Sequence, residues 1–308
     1  MDTLAEVIDL VRTKGQLYGQ IKLTAPWGLM LPGGKGICLT VTDGSCYLGV
    51  DEHALIPLAV GDFVFLPGPE NYSLLSSPDM SLRSIHEVIT PGAFRQSRLI
   101  TYGGGGAPAS LIAGCFTFAS PESDLLTKYL PPIIHLKASS TQSNPWFQST
   151  LQFIAEEIGE GRPGSSSIVD RLAEVLFVQA MRTRIDSPCR DEAPSWLLAL
   201  ADPQISASID LMHAHPEKAW TVPELARRVS MSRSAFASRF RELAGETPMD
   251  HLTHWRMVRA ANMMREDKSL KLSAVAGAVG YESESAFGKV FRRVIGMSPG
   301  RYRAGVGE

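Results

Sequence analysis

Residues 221–248 read TVPELARRVSMSRSAFASRFRELAGETP, and residues 272–303 read LSAVAGAVGYESESAFGKVFRRVIGMSPGRYR. Laid over one another, the two stretches are one pattern written twice. Phe236 and Phe240 fall on Phe287 and Phe291 at an offset of fifty-one, as Gly245 falls on Gly296 and Pro248 on Pro299. Upstream the offset is fifty, carrying Leu225 onto Val275, Ala226 onto Ala276 and Val229 onto Val279. The second copy therefore has one extra residue in its turn. Each copy predicts a short helix, a turn and a second helix closed by Gly-x-x-Pro. One such pattern fits many helical hairpins. Two at matched spacing point to paired helix-turn-helix units that touch successive faces of DNA.

In the first unit, over 221–243, Thr221 and Glu224 form a capping box that opens a helix over 222–229. Ser230-Met231-Ser232 makes the turn, and the second helix over 233–243 turns Phe236, Phe240 and Leu243 inward. Its outward face is then Ser234, Ala237, Ser238 and Arg241, with Arg233 in the first turn placed to meet a phosphate. The second unit, over 271–294, has its supporting helix at 272–279, a turn of Gly280-Tyr281-Glu282, and Ser283 capping a helix over 284–294. Phe287 and Phe291 face in; Glu284, Ser285, Gly288, Lys289 and Arg292 face out. Lys289 and Arg292 are the basic groups long enough to reach a guanine edge or a phosphate. Between the units, 248–265 is one helical pattern of ~17 residues, or ~25 Å at 1.5 Å per residue. That sets the two recognition helices about one DNA turn apart, roughly 34 Å. Arg256, Arg259 and Arg265 on this helix read either as phosphate contacts or as a solvated arginine face.

Residues 205–303 resemble the AraC/XylS-type DNA-binding domain, on the two stretches quoted above and on the closing Ser-Pro-x-x-Tyr-Arg of Ser298 to Arg303. The resemblance implies that bases are read by Ser234, Ala237 and Ser238 in the first helix and by Glu284, Ser285 and Lys289 in the second. The first helix is poor in long polar side chains, which leaves more of its recognition to phosphates and DNA shape.

Outward from this domain, the charge changes sign. Residues 1–203 carry a net charge of −7 and residues 204–308 one of +5, within a chain of 308 residues and net −2. An acidic front and a basic back suit a regulatory domain joined to a nucleic-acid-binding one. The polar, proline-bearing stretch from Ser187 to Pro194 reads as the joint, giving domains over 1–186 and 204–303 with a linker over 187–203. Ahead of it, Asn144 caps and Pro145 opens a helix with Phe147, Leu151, Ile154 and Ile158 along one stripe. Ser167 and Asp170 form a capping box for the next, which carries Ile168, Leu172, Val175 and Leu176 to about Arg184. This pair, 145–184, is expected to cover the preceding strands and to supply a dimer interface.

From Gly28 to Phe118 short apolar runs separated by turn residues predict β structure. Gly61-Asp62-Phe63-Val64-Phe65-Leu66-Pro67, with TDGSCYL at 42–48, GGGGAP at 103–108 and LPPIIHL at 130–136, resembles the cupin-like domain found ahead of some AraC-type domains. The metal-binding form of that motif needs a histidine five residues after the proline, where this chain has Tyr72, and the run from Ile37 to Thr42 has none. Only scattered His53, His86 and His135 remain, so no catalytic metal and no cofactor are expected. Gly103 to Gly106 lacks the Gly-Lys-Ser/Thr of a phosphate loop. Trp27, Tyr47, Phe65 and Tyr72 are candidates to line an apolar effector pocket. Cys38, Cys46 and Cys115 read as buried structural thiols, with a redox sensor as the alternative, and Cys189 as a linker residue.

The resulting expectation is an N-terminal cupin-like β-barrel with a helical dimerisation pair, followed by an all-α domain of two helix-turn-helix units. Its expected partners are double-stranded promoter DNA, RNA polymerase, a small-molecule effector and a second copy of the chain. No apolar run approaches the ~18 residues that cross a bilayer, so the chain is expected to be cytoplasmic. Two alternatives stand beside this: a barrel that serves only for dimerisation or partner contact, and a cupin-type enzyme fused to a DNA-binding domain.

Overall fold

The computed structural model describes residues 3–4, 13–34, 36–51, 53–88, 99–118, 130–139, 145–160, 162–186 and 194–305. Asn144 and Cys189 lie outside these residues. The chain forms two compact units. One comprises Thr13–Phe118 and Pro132–Ser187; the other comprises Pro188–Glu308 together with Met1–Arg12 and Ala119–Pro131. The two units meet in the chain between Ser187 and Pro188, and Thr3 and Leu4 group with the C-terminal unit, where the Thr3 hydroxyl donates to Asp210.

The first unit is built on two sheets. Its strands are β1 (Thr13–Thr24), β2 (Gly28–Pro32), β3 (Gly36–Asp43), β4 (Ser45–Val50), β5 (Ile56–Ala59), β6 (Phe63–Leu66), β7 (Asn71–Leu75), β8 (Arg83–Ser84), β9 (Leu99–Gly103), β10 (Pro108–Phe118) and β11 (Ile134–Leu136), with a one-turn helix α1 (Ile85–Val88) after β8. One sheet runs β11-β6-β3-β10-β1-β9 and the other β5-β4-β7-β2-β8. β1 pairs antiparallel with β10 (Leu23 opposite Ala109) and parallel with β9 (Leu23 opposite Tyr102). Ile21, Leu29, Leu39, Leu48, Leu74 and Leu111, from both sheets, share one buried core.

Strand alternation then decides what lies on each face. Ile37, Leu39, Val64 and Leu66 point into that core. Phe63 and Phe65 point the other way, where α2 (Pro145–Glu160) and α3 (Ser165–Asp186) cover the sheet. Phe63 meets Phe147 edge-on at 5.3 Å, and Phe65 meets Phe177 at 5.0 Å. The apolar stripe predicted for α2 packs through Phe147, Leu151 and Ile154. That of α3 is different: Val169, Ala173, Leu176, Phe177, Ala180 and Met181 face in, while Ile168 and Val175 are exposed. Its helix opens at Ser165, two residues before the predicted cap.

Two glycine-bearing segments have structural duties. Asp62, in the turn between β5 and β6, accepts hydrogen bonds from Ala59 N (3.1 Å), Ala138 N (2.7 Å) and His135 Nε2 (3.1 Å), so the buried carboxylate ties the segment after β11 to the barrel. In the four-glycine loop, Gly104 N and Gly106 N donate to Thr24 O and Ala25 O, and Gly105 N to Thr24 Oγ1. These N–H groups are spent on the β1–β2 turn, which is why the loop is not a phosphate cradle.

The second unit is helical: α4 (Trp196–Leu200), α5 (Pro203–Ala214), α6 (Val222–Arg228), α7 (Arg233–Ala244), α8 (Pro248–Glu266), α9 (Leu272–Ala278), α10 (Glu284–Ile295) and α11 (Pro299–Arg303). Part of the expected linker belongs to it. Ser195 caps α4, Ser195 N donates to Leu243 O, and Trp196, Leu197 and Ala199 are buried. The unit has two separate cores. Ile209, Trp220, Leu225, Phe236, Phe240 and Leu252 form one; Met257, Ala261, Met264, Val275, Phe287 and Phe291 form the other. The N-terminal part of α8 serves the first and its C-terminal part the second.

Candidate nucleic-acid interface

Each recognition helix is fixed by the same local chemistry. The side chains of Ser232 and Ser283 accept from Ala235 N and Ala286 N at the N-caps, both at 3.2 Å. Gly245 (φ 80°) and Gly296 (φ 86°) end α7 and α10 in the left-handed conformation, each donating its N–H to the carbonyl four residues back at 3.0 Å. The turns match as well: Met231 N donates to Ala226 O and Tyr281 N to Ala276 O, both at 2.9 Å. That equivalence places the extra residue of the second copy at Glu282, just ahead of the Ser283 cap. Phe236 and Phe240, like Phe287 and Phe291, are fully buried, each worth about 1.5–3 kcal/mol in burial alone.

With those rings inside, the helix period turns the predicted positions outward. Arg233, Ser234, Ser238 and Arg241 are exposed on α7, and Ala237 is half-buried among them. Glu284, Ser285, Lys289 and Arg292 are exposed on α10, with Gly288 half-buried. The structure brings all ten to two outward helix faces. Arg233, Arg241, Lys289 and Arg292 enter no ion pair among the described residues, so their donors are available to phosphates or base edges. Arg293 is exposed beside Arg292 and belongs with this group, although the sequence analysis passed over it. Arg239, by contrast, is tied down on the rim of α7, its Nε 3.1 Å from Asp202 and Nη1 3.2 Å from Glu242.

Arg256 corrects the sequence reading outright. Its guanidinium is bound within the unit rather than left on a solvated face. Half-buried at mid-α8, its Nε donates to Pro216 O at 2.6 Å and its Nη2 to Lys218 O at 2.8 Å. A histidine cluster beside α7 was also missed. His213 on α5 stacks on Trp255 at 3.5 Å with the rings 2° from parallel, and its Nε2 shares a hydrogen bond with His251 Nε2 at 3.1 Å. His251 Nδ1 and His254 Nδ1 both bond Glu246, at 2.9 and 2.7 Å. Burial, with His251 and Arg259 nearby, holds His213 well below the ordinary imidazole value, so the ring is neutral in the fold.

The four aromatics proposed for an effector pocket do not share one. Trp27 and Tyr72 lie in the barrel core. Phe65 sits on the opposite face of β6 against Phe177, and Tyr47 alternates with core-facing Cys46 and Leu48 to the outer face of β4, where it is half-buried. Cys38 and Cys46 are buried and Cys115 is half-buried. Burial and the nearby Asp62 carboxylate push the Cys46 thiol up to about 12. His53, His86 and His135 are separated, on the turn after β4, on α1 and on β11. Among the described residues no helix is long and apolar enough to cross a membrane.

Together these features define a cupin-like domain joined to a DNA-binding domain of two helix-turn-helix units. Comparison with known proteins agrees: a cupin family model matches residues 2–186 and a helix-turn-helix domain model residues 225–305. A putative AraC-like transcription regulator of Streptomyces antibioticus is 33% identical over 98% of both chains. The HTH-type transcriptional regulator AlkR of Acinetobacter baylyi is 29% identical over 98% of this chain and 99% of its own. The RCS-specific HTH-type transcriptional activator RclR of Escherichia coli is 29% identical over 98% of this chain and 97% of its own. The chain belongs to the AraC-like family and is a DNA-binding transcription regulator.

Proposed function

We propose that the protein holds two elements of a promoter site about one helical turn apart, with α7 and α10 in successive major grooves. The observation that carries this is the pair of matched outward faces, Arg233 to Arg241 and Glu284 to Arg292, built on the two cores that share α8. In this reading Lys289 and Arg292 supply direct readout, Arg233 and Arg241 supply phosphate contacts, and Ser234, Ala237 and Ser238 fit α7 closely to the groove. Sequencing the genomic DNA that the purified full-length protein retains at moderate salt tests it. A recurring asymmetric site with two short elements about one turn apart is the expected result. Uniform, salt-sensitive retention with no recurring site overturns it.

The finer assignments follow from the same architecture. The outer face of the helical pair exposes Trp146 (76%), Phe153 (58%), Ile168 (44%) and Val175 (46%), spaced seven residues apart on each helix. Such a face suits pairing with the same face of a second copy. Replacing Trp146 and Val175 by glutamate should give a monomer in sedimentation, whereas an unchanged dimer would place the interface elsewhere. The barrel core around Trp27 and Tyr72 is the proposed sensing element, for a small apolar effector acting by linkage on the dimer. One relative is RCS-specific by name, but the suppressed thiolate of Cys46 favours an apolar effector over oxidation of that cysteine as the signal. Action on cytoplasmic promoters, through contact with RNA polymerase and without an enzymatic reaction, completes the reading.

A further inference from the structure

The two recognition units have separate cores, so something besides the continuity of α8 must hold them at one angle. A chain of contacts does so. Trp220, buried in the first core, fixes the 215–219 loop through its Nε1 bond to His215 O at 3.0 Å. Lys218, whose ammonium lies 3.8 Å above the Trp220 ring and 2.6 Å from Glu224, staples the same loop. Two carbonyls of this loop, those of Pro216 and Lys218, receive the Arg256 guanidinium. On its far side the guanidinium carbon stands 5.7 Å from the Tyr281 ring, in the turn of the second unit, and Tyr281 packs edge-on against core residue Phe287 at 5.9 Å. The neighbouring Gly280, at φ 79°, leaves room for the loop: a Cβ there would stand 2.6 Å from Glu217 O and 2.7 Å from Arg256 Nη2.

We propose that Arg256 is a positioning residue, a joint between the two helix-turn-helix units that fixes which separation of DNA elements the protein accepts. A planar fork with several donors suits this role, because it ties two carbonyls on one side while its face rests on a ring. The inference rests on the two-element reading of DNA binding proposed above. In this reading Arg256 acts without touching DNA. One base pair of added spacing moves the second element by about 3.4 Å and turns it about the helix axis, which a stiff joint refuses and a loose one follows.

The test is selection of full-length wild type and Arg256→Ala from a pool of random-sequence duplexes, followed by sequencing. Wild type should return paired elements at one spacing. Arg256→Ala should return the same elements at two or more adjacent spacings. It should bind the wild-type pair about tenfold more weakly, because the second contact loses effective concentration, while duplexes bearing one element bind as before. A folded variant that keeps the single spacing overturns the proposal. So does equal weakening on paired and single elements, which would make Arg256 a phosphate contact. A wild type that returns no recurring pair sinks the two-element reading itself. Should Arg256→Ala fail to fold, Arg256→Lys, with one point donor in place of the fork, and Tyr281→Leu are read by the same selection against the same outcomes.

Discussion

The first and second helix-turn-helix units share a plan and differ in where their chemistry is spent. The first has its supporting helix capped by Thr221, whose side chain accepts from Glu224 N at 3.3 Å; the equivalent Lys271 makes no side-chain cap. The first passes through its turn on Ser230 at φ 56°, a conformation that favours glycine, where the second has Gly280. The first surrounds its helices with a histidine cluster, and the second, beyond His254, contains no histidine at all. The outward faces reverse the balance. Two serines and an alanine occupy the centre of α7, against Glu284, Ser285, Lys289 and Arg292 on α10. The lesson is a division of labour: the first unit has the helix cap that the second lacks, and the second presents the longer polar and charged groups on its outward face.

The largest effects should come from breaking the two cores separately. Phe236→Ala and Phe287→Ala should each cost about 3–5 kcal/mol in urea unfolding, since both rings are fully buried. If the cores are as separate as they look, each variant should lower the unfolding transition of its own unit first. Next, Lys289→Ala should cost about 1–3 kcal/mol in binding and relax preference at one position if it reads a base. Ser234→Ala and Ser238→Ala, measured by the same titration, should cost less; equal losses would abolish the asymmetry between the helices.

The histidine cluster allows a sharper separation by pH. Because the folded pKa of His213 lies below its ordinary 6.5, the unfolded chain binds a proton that the folded one rejects. The stability it affects is fully present above about pH 6.5 and falls by about 1.4 kcal/mol per unit as the pH drops below that value. Melting curves between pH 7.5 and 5.5 should show the loss in the first unit, and His213→Phe should flatten it. The groups facing His213 are His251 and Arg259, with Glu246 and His254 beyond His251, and a slope unchanged in the variant would show that His213 is not its source. Smallest of all, Lys271→Ser should add about 0.5–1 kcal/mol to the second unit, by supplying the cap it lacks.

Five helices of the C-terminal unit, α6 to α10, were legible to within a residue at each end, because those ends are written in side chains: Thr221, Ser232, Thr247 and Ser283 cap, and Gly245 and Gly296 terminate; α5 and α11 went unread. The repeat also picked out ten exposed or half-buried positions on the outward faces, though not Arg293. What stayed hidden lay where one face is not enough to read. Helix α4 is five residues long, too short to show a period, and so passed for linker. β6 is buried along all four residues, inside by the barrel and outside by α2 and α3, which erases the alternation that would have told Phe65 from Val64. α3 packs through Ala173 and Ala180, so the bulkier Ile168 and Val175 drew the eye to the wrong stripe. Nothing local distinguishes Arg256 from Arg259 or Arg265; only the loop that folds back onto it does.

The pairing of β1 has a temporal consequence. Thr24 lies opposite Gly103 on one side and Pro108 on the other, so the strand that opens the barrel is completed by strands some eighty residues later. A ribosome delivering the chain leaves β1 with both edges bare until β9 and β10 have emerged. Within the C-terminal helices the backbone hydrogen bonds are closer in sequence, reaching forty-eight residues between Ser195 N and Leu243 O. Contacts between distant parts of a chain form slowly, so closing the barrel around β1 should be a slower step than forming the nearer contacts of the helices.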